Sequence, residues 1–161
     1  MKTLLVFFFV VIISVTVFAQ DRCISVPAAR ALGMDPDSMK KVYLNAVNFD
    51  KTADQVFPGK EKEVGEHWSK LVQDLGEFLK SKHIIWQDDT KCFNMFFFNK
   101  EGKIDYYWYG LKDTLKEKDY DTAVEEFVKN YEFGMKADRK FSQCGGSLYK
   151  KTATKGVEFE K

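Results

Sequence analysis

The stretch from position 92 to position 109, CFNMFFFNKEGKIDYYWY, decides the fold class of this sequence. Two aromatic runs, residues 92–98 and 103–109, flank the segment Asn99–Gly102. Aromatic residues favour strands because they pack well on a pleated surface. A short loop that ends in glycine favours a turn with a bulge. The stretch therefore predicts a β-hairpin with a bulge at Gly102.

The two faces of this hairpin differ in polarity, because successive side chains of a strand project to opposite sides. One face is apolar, and the other carries aromatic rings together with hydroxyl and amide groups. The first consists of Phe93, Met95, Phe97, Ile104, Tyr106 and Trp108, and the second of Asn94, Phe96, Phe98, Asp105, Tyr107 and Tyr109. We expect the first face to carry the helices, and the second to be partly covered or used for contact.

Segments with helical periodicity surround the hairpin. Apolar residues between Val64 and Leu79 recur at helical spacing and predict a long amphipathic helix. Asp35 followed by Pro36 is typical of a helix start, and the pattern extends to about Asn48. A third helix follows the hairpin, with Asp121 or Thr122 as its cap.

A last strand is predicted over Phe141–Tyr149. Its interior contains the pair Gly145-Gly146, which indicates a bulge or a close approach of another part of the chain. A right-handed connection places the first hairpin strand between the second and the last strand, antiparallel to both. Cys92 and Cys144 are then candidates for a disulfide, because the start of the first strand lies beside the end of the last.

The predicted fold class is α+β, with a three-stranded antiparallel/mixed sheet and helices packed on one face. Residues 61–150 form this α+β domain. Residues 20–60 are an N-terminal arm with a short helix, and residues 151–161 are a polar tail.

The N-terminus predicts export. Lys2 precedes an apolar run from Leu4 to Phe18, which is typical of a signal peptide over residues 1–19, cleaved after Ala19. The run is shorter than the roughly 20 apolar residues that a membrane-spanning helix needs. We therefore expect a periplasmic or secreted protein with no stable membrane anchor. The three cysteines leave an odd thiol in that oxidising compartment, and the third is Cys23.

Composition and motifs argue against several functions. The chain has 25 Lys and Arg against 24 Asp and Glu, without the basic surplus typical of nucleic-acid binding. His67 and His83 lack metal-ligand spacing, so we expect no metal. No serine has nucleophile-elbow spacing and no carboxylate pair is placed for acid and base roles, so we expect no cofactor and no enzymatic activity. Two alternatives remain open: a thiol- or His-dependent hydrolase that uses Cys144 or His67, and a small-molecule or lipid carrier with a cavity between the long helix and the sheet.

Residues 64–149 resemble the periplasmic C-terminal domain of TonB-type proteins, the energy transducers of the cell envelope. The likeness rests on FNMFFFNKEGKI, residues 93–104, and on the helix and strand that follow. The resemblance implies a TonB-C-terminal-like fold whose final strand edge pairs with a segment of a protein partner. With three prolines the chain lacks the proline-rich spacer of that family, so energy transduction is not expected.

Strand addition to a sheet edge gains affinity from backbone hydrogen bonds and specificity from alternate side chains. We therefore expect a non-enzymatic module for protein–protein contact in the cell envelope. The exposed edges are expected along residues 103–109 and 141–149. The candidate binding residues are Phe141, Ser142, Gln143, Leu148 and Tyr149, with Tyr107 and Tyr109 of the hairpin.

Overall fold

Four helices and five strands make up the described part of the chain. The computed structural model describes residues 22–48, 50, 52–111 and 117–152. In chain order the elements are β1 (Cys23–Ser25), α1 (Val26–Ala31), α2 (Pro36–Val42), β2 (Leu44–Asn45), α3 (Glu61–Ser81), β3 (Thr90–Phe98), β4 (Ile104–Leu111), α4 (Glu117–Asn130) and β5 (Phe141–Tyr149). The predicted signal peptide and residues 153–161 of the predicted tail lie outside the described residues. Among the helices that are described, none has the length and hydropathy needed to cross a membrane.

The strands form one mixed sheet in the order β1-β4-β3-β5-β2. β3 is antiparallel to both β4 and β5. β1 and β2 run parallel to β4 and β5 respectively. The α+β class and the central position of the first hairpin strand are confirmed, but the count of three strands is wrong. The additional strands span three and two residues, which is too short to produce a detectable period-2 pattern.

The predicted turn of the hairpin is confirmed. Gly102 has a φ of 80°, which glycine adopts without the steric cost that other residues bear. Its N–H donates to the carbonyl oxygen of Asn99 at 3.0 Å. The strand pairing then begins with Ile104 opposite Phe98.

A second bulge, at Asp105, changes which face the start of β4 presents. Phe97 pairs with Tyr106, and the next residue, Phe98, pairs with Ile104. Asp105 is therefore the extra residue of the bulge, and such a residue is often re-aimed by the local bend. As a consequence, Ile104 shares a face with Phe98, although simple alternation assigned it to the face of Tyr106.

The long helices α3 and α4 pack on the face opposite to the predicted one. This inner face consists of Cys92, Asn94, Phe96, Phe98, Ile104, Tyr107 and Tyr109, which are buried. Buried residues of α3, among them Leu71 and Leu75, and of α4, among them Val124 and Phe127, join the same core. The outer face consists of Phe93, Met95, Phe97, Tyr106 and Trp108.

Hydroxyl groups on the inner face are buried at little cost because they bond to one another. The Tyr107 hydroxyl donates to Asn94 Oδ1 at 2.7 Å and lies 2.6 Å from the Tyr120 hydroxyl. The Tyr120 hydroxyl is in turn 3.1 Å from that of Tyr149. Buried polar groups that are hydrogen-bonded escape the desolvation penalty that isolated ones suffer. The prediction that the fully apolar face carries the long helices did not take these hydrogen bonds between hydroxyl groups into account.

The segment predicted as an N-terminal arm is part of the folded unit. α1 and α2 pack on the outer face, where Ala29, Tyr43, Phe97 and Trp108 form a second buried cluster. The prediction that the helices pack on one face is therefore wrong, because these two helices lie on the face opposite to α3 and α4. The cap at Asp35 is confirmed, since its carboxylate accepts from the Ser38 N–H at 3.2 Å.

Helix boundaries differ from the predictions at two places. α2 ends at Val42 rather than near Asn48, because β2 begins at Leu44. α4 begins at Glu117, so Asp121 and Thr122 lie within the helix and do not cap it. α3 agrees with its predicted stripe, with Val64, Leu71, Leu75 and Leu79 buried.

Candidate functional site at the open edge of the last strand

The outer edge of β5 is the candidate site. β2 pairs only with Phe141 and Ser142 of β5. From Gln143 to Tyr149, β5 pairs with β3 on one side and with no other strand among the residues that the structure describes. Natural sheets protect such edges with charged residues, proline, bulges or short strands. The nine residues of β5, FSQCGGSLY, contain no charge and no proline, and their register with β3 is continuous.

The direction of the backbone groups along this edge follows from one hydrogen bond. The Ala46 N–H donates to the Ser142 carbonyl oxygen at 2.7 Å, so the backbone groups of Ser142 face outward. In an extended strand the outward residues alternate. Cys144, Gly146 and Leu148 therefore direct their N–H and C=O groups to the open edge, while Gly145 and Ser147 direct theirs to β3.

Helix α3 forms one wall beside this edge. Trp68, Val72, Gly76 and Lys80 recur every four residues and therefore share one side of the helix. Trp68 packs against Gly145, where an added Cβ would lie 2.9 Å from its Cζ2 atom. The close-approach alternative for the glycine pair is thus confirmed at Gly145, and the unbroken register excludes a bulge.

A groove of about 710 Å³ lies between the C-terminal half of α3 and the end of β5. The loop after α3 forms its floor, including Trp86, whose ring stacks on Tyr149 at a centroid distance of 4.7 Å. The groove is lined by Gly76, Lys80, His83, Ile84, Ile85, Trp86, Leu148, Tyr149, Lys150, Lys151 and Thr152. The side chains of Ile85 and Leu148 are 48% and 46% exposed, so the groove offers accessible apolar surface.

The outer face of the sheet continues the apolar surface past the edge. A second, more open groove of about 710 Å³ lies over Phe93 and Leu148. Gly110 and Gly146 flank Phe93 on the neighbouring strands, and a Cβ at Gly146 would contact nothing within 4 Å. Glycine at both positions leaves Phe93 42% exposed. A strand added to β5 would therefore have accessible apolar side chains on both of its sides.

The apolar groove beside α3 has basic residues at one end. Its lining contains Lys80, His83, Lys150 and Lys151, and no carboxylate among the described residues. Lys150 binds Asp89 at 2.9 Å, and the Lys151 N–H donates to the same carboxylate. These contacts, the Lys151 backbone hydrogen bond first, lower the pKa of Asp89. Lys80 forms no ion pair with any residue in the described part of the chain.

The residues predicted for binding divide into two groups. Leu148 is exposed and Gln143 half-buried at the open edge. Phe141 and Ser142 are buried and already paired with β2. Tyr107 and Tyr109 of the hairpin and Tyr149 of β5 are also buried, on the inner face, so their side chains are not accessible to a partner; the Tyr109 hydroxyl donates to Asp121.

The predicted edge along β4 is also partly occupied. On the side away from β3, residues 107–109 pair with β1, so among the described residues this edge of β4 is open only at its two ends. The corresponding prediction, an open edge along residues 103–109, is wrong in its second half. The reason is the short parallel strand β1, for which the sequence provides no periodic signal.

Sequence reasoning missed the groove residues on α3 and in the loop after it. The available signal was the four-residue spacing of Trp68, Val72, Gly76 and Lys80, in which a glycine and a lysine follow two apolar residues on one side of the helix. Ile84 and Ile85 were identifiable as apolar residues beyond the helix end. Nothing in the sequence indicated that β5 would lie beside them.

The predicted Cys92–Cys144 disulfide is wrong. Cys92 is opposite Ser147 on the inner face, whereas Cys144 is opposite Met95 on the outer face. All three cysteines are free thiols. Burial of Cys92 and partial desolvation of the exposed Cys144 raise the pKa of both thiols, which lowers the fraction of reactive thiolate.

The geometry does not favour the hydrolase alternative. His67 lies on α3 against Phe133 on the inner side, so the sheet separates it from Cys144. The described residues contain no cluster of three or more His, Cys, Asp or Glu side chains that could hold a metal ion. The carrier alternative is also not favoured, because buried side chains such as Phe96, Phe98 and Leu71 fill the space between α3 and the sheet.

Comparison with known proteins finds no family model, no curated protein and no solved structure that matches this chain. The resemblance to TonB-type domains therefore stays a prediction.

Proposed function

We propose that this chain is an exported, non-enzymatic binding module that takes up an extended segment of another protein as a sixth strand along β5. The observation that carries the proposal is the open edge of β5, which is uncharged, regular and flanked by apolar grooves. Strand addition supplies hydrogen bonds to Cys144, Gly146 and Leu148, and the grooves supply contacts for alternate side chains of the segment.

The shape of the edge supports this mode over contact through a flat patch. β2 occupies the start of the edge at Phe141 and Ser142, so an added strand begins at about Gln143. Its side chains on the inner side lie along Val72 and Gly76 of α3. Gly76 is half-buried, and a Cβ there would contact nothing within 4 Å, so space for a partner side chain exists.

Hydrogen exchange tests the proposal on the free chain. The amides of Cys144, Gly146 and Leu148 are expected to exchange quickly, while those of Gly145 and Ser147 are protected by β3. Slow exchange at all five amides would mean that another part of the chain already covers the edge, and it would overturn the proposal.

Binding is then measured with heptapeptides selected from a random displayed library on the purified chain. The expected result is that a selected peptide protects the amides of Cys144, Gly146 and Leu148. Protection confined to another surface, or a library that yields no binder, would contradict the proposal.

A pair of substitutions at Gly146 separates backbone from side-chain effects. Gly146→Pro removes the outward N–H, and proline is tolerated on edge strands when its missing N–H faces solvent. The backbone of Gly146 is not left-handed, so Gly146→Ala keeps the N–H and meets no neighbour. We expect Gly146→Pro to weaken peptide binding by about tenfold, and Gly146→Ala to leave it nearly unchanged.

A further inference from the structure

Lysines from two elements converge at one end of the groove between α3 and β5. Lys80 belongs to the last turn of α3, whereas Lys150 and Lys151 directly follow β5. All three line the groove, and His83 lies on the same wall. Asp89 forms an ion pair with Lys150, whereas Lys80 has no ion-pair partner among the described residues. A net positive charge therefore remains at this end of the groove.

The apolar part of the same groove is separate from the lysines. Ile85 and Leu148 are the exposed apolar side chains, and Trp86 and Tyr149 lie below them as a stacked, buried pair. A ligand that fits both parts has an apolar side chain followed by a negative charge. Because the outer edge of β5 leads into this groove, an extended chain provides that arrangement in consecutive residues.

We propose that the segment added to β5 carries a carboxylate that binds Lys80 and Lys151 at the end of the groove. This inference rests on the proposed function and names the chemistry of the partner: an extended, acidic peptide with an apolar residue beside its carboxylate. Opposite charge at the rim of a site guides association and selects among partners that bind the same backbone.

The carboxylate has two possible sources, and they differ in strand direction. A C-terminal carboxylate reaches the lysines only if the added strand runs parallel to β5, so that both end at the same side of the sheet. The carboxylate of an aspartate or glutamate side chain can reach the lysines whether the added strand runs parallel or antiparallel to β5. Both sources share the same recognition chemistry, and a display experiment distinguishes them.

The experiment uses two random heptapeptide libraries, one with a free C-terminus and one followed by a linker. Enrichment of Asp or Glu at a fixed distance from an apolar residue in both libraries indicates a side-chain carboxylate. Binders from the free-terminus library alone indicate the terminal carboxylate. Either result supports the inference.

Charge reversal at Lys80 tests the contact, with Lys100→Glu as the matched control. Both lysines are exposed, and neither forms an ion pair with a described residue, so the two variants change the net charge equally. Lys100 follows β3 at the hairpin turn, at the end of the sheet away from the groove. We expect Lys80→Glu to weaken binding of the selected peptide by at least about fivefold, and added salt to weaken binding to the unaltered chain.

Two results would overturn the inference in distinguishable ways. Peptides that protect the β5 edge but show no acidic preference and bind Lys80→Glu normally would refute the carboxylate contact and leave strand addition standing. Selected peptides that protect other amides would refute strand addition, and with it the carboxylate contact.

Discussion

The indole ring of Trp68 on α3 rests directly on the backbone of Gly145 in β5, so closely that a Cβ there would lie 2.9 Å from Cζ2. This contact allows α3 to approach the edge strand closely. The adjacent Gly146 has free space at the same position. Two neighbouring glycines thus have different roles, one in packing and one in exposure of the edge.

We expect Gly145→Ala to destabilise the chain by about 1–3 kcal/mol, because the added methyl group forces Trp68 and α3 to shift. Gly146→Ala is the matched control and is expected to change stability by about 0.5 kcal/mol or less. Urea unfolding monitored by fluorescence measures both. Equal stabilities for the two variants would show that α3 is not held by this contact.

The buried tyrosine network predicts an unequal response to loss of single hydroxyl groups. Tyr107→Phe removes one donor to Asn94 Oδ1 and one neighbour of the Tyr120 hydroxyl, so each of these buried groups loses a hydrogen-bond partner. The expected loss of unfolding free energy is about 1–3 kcal/mol. The Tyr106 hydroxyl makes no hydrogen bond to a described residue, so Tyr106→Phe is expected to change stability by about 0.5 kcal/mol or less. A Tyr107→Phe variant as stable as the unaltered chain would contradict the network.

Alkaline pH is expected to destabilise the folded chain. Burial raises the pKa of Tyr107 and Tyr120 well above the ordinary value of 10.0, so both stay protonated in the folded state. Their stabilising contribution is complete below pH 10 and is lost as the pH rises from there toward the folded pKa, because only the unfolded chain releases these protons. The two groups together lower the unfolding free energy by about 3 kcal/mol per pH unit in that range.

Equilibrium unfolding at a series of pH values above 10 measures this slope. Tyr120→Phe removes one of the two titrating groups and is expected to reduce the slope by about 1.4 kcal/mol per pH unit. An unchanged slope in that variant would refute the assignment to Tyr120.

The sequence predicted those elements whose signals are long and regular. The apolar stripe of α3 and the span of β5 could be predicted, since each extends over enough residues for a pattern to be visible. β1 and β2 could not be predicted, because two or three residues become strands only when a neighbouring strand edge supplies their hydrogen bonds. That tertiary pairing also determined which edge is open, and so which predicted site residues are accessible.

The choice of the sheet face was missed for a different reason. Counting apolar side chains favours the face of Phe93 as the one under the helices. Buried hydroxyls cost little when they bond to each other, and Tyr107, Tyr120 and Tyr149 meet only in the folded structure. The bulge at Asp105, which transfers Ile104 to the inner face, likewise depends on cross-strand register.

Asp105 links α2 to the sheet from its position in the bulge. Its carboxylate accepts from the Tyr43 hydroxyl at 2.9 Å and pairs with Lys140 at 2.9 Å. The carboxylate is the second cause, after burial, that raises the pKa of Tyr43 to about 12. We expect Asp105→Ala to lower the unfolding free energy by about 1–2 kcal/mol and to speed hydrogen exchange in α2.

Asp138→Ala is the control for this prediction. Asp138 pairs with Arg139 at an exposed site, where ion pairs contribute about 1 kcal/mol or less. In the Asp138→Ala variant, hydrogen exchange in α2 is expected to match that of the unaltered chain. If both variants behave alike, Asp105 does not secure α2.

One of the three thiols is expected to react with an alkylating reagent in the native chain, and the other two only after denaturation. Cys144 is exposed on the outer face, whereas Cys23 and Cys92 are only 5% and 2% exposed. One equivalent of label is therefore expected in the native chain, on Cys144, and three after denaturation. Because partial desolvation by its neighbours raises the pKa of the Cys144 thiol, its labelling rate is expected to keep increasing with pH through the ordinary thiol value of 9.0.

Peptide mapping by mass spectrometry locates the label, and Cys144→Ser is expected to abolish native labelling. A native chain that takes up no label and yields a linked Cys92–Cys144 peptide would contradict the register of β3 and β5. The same thiol reports on the edge: because Cys144 lies where an added strand begins, a bound heptapeptide is expected to slow its alkylation. Unchanged alkylation in the presence of a peptide known to bind would place that peptide away from β5.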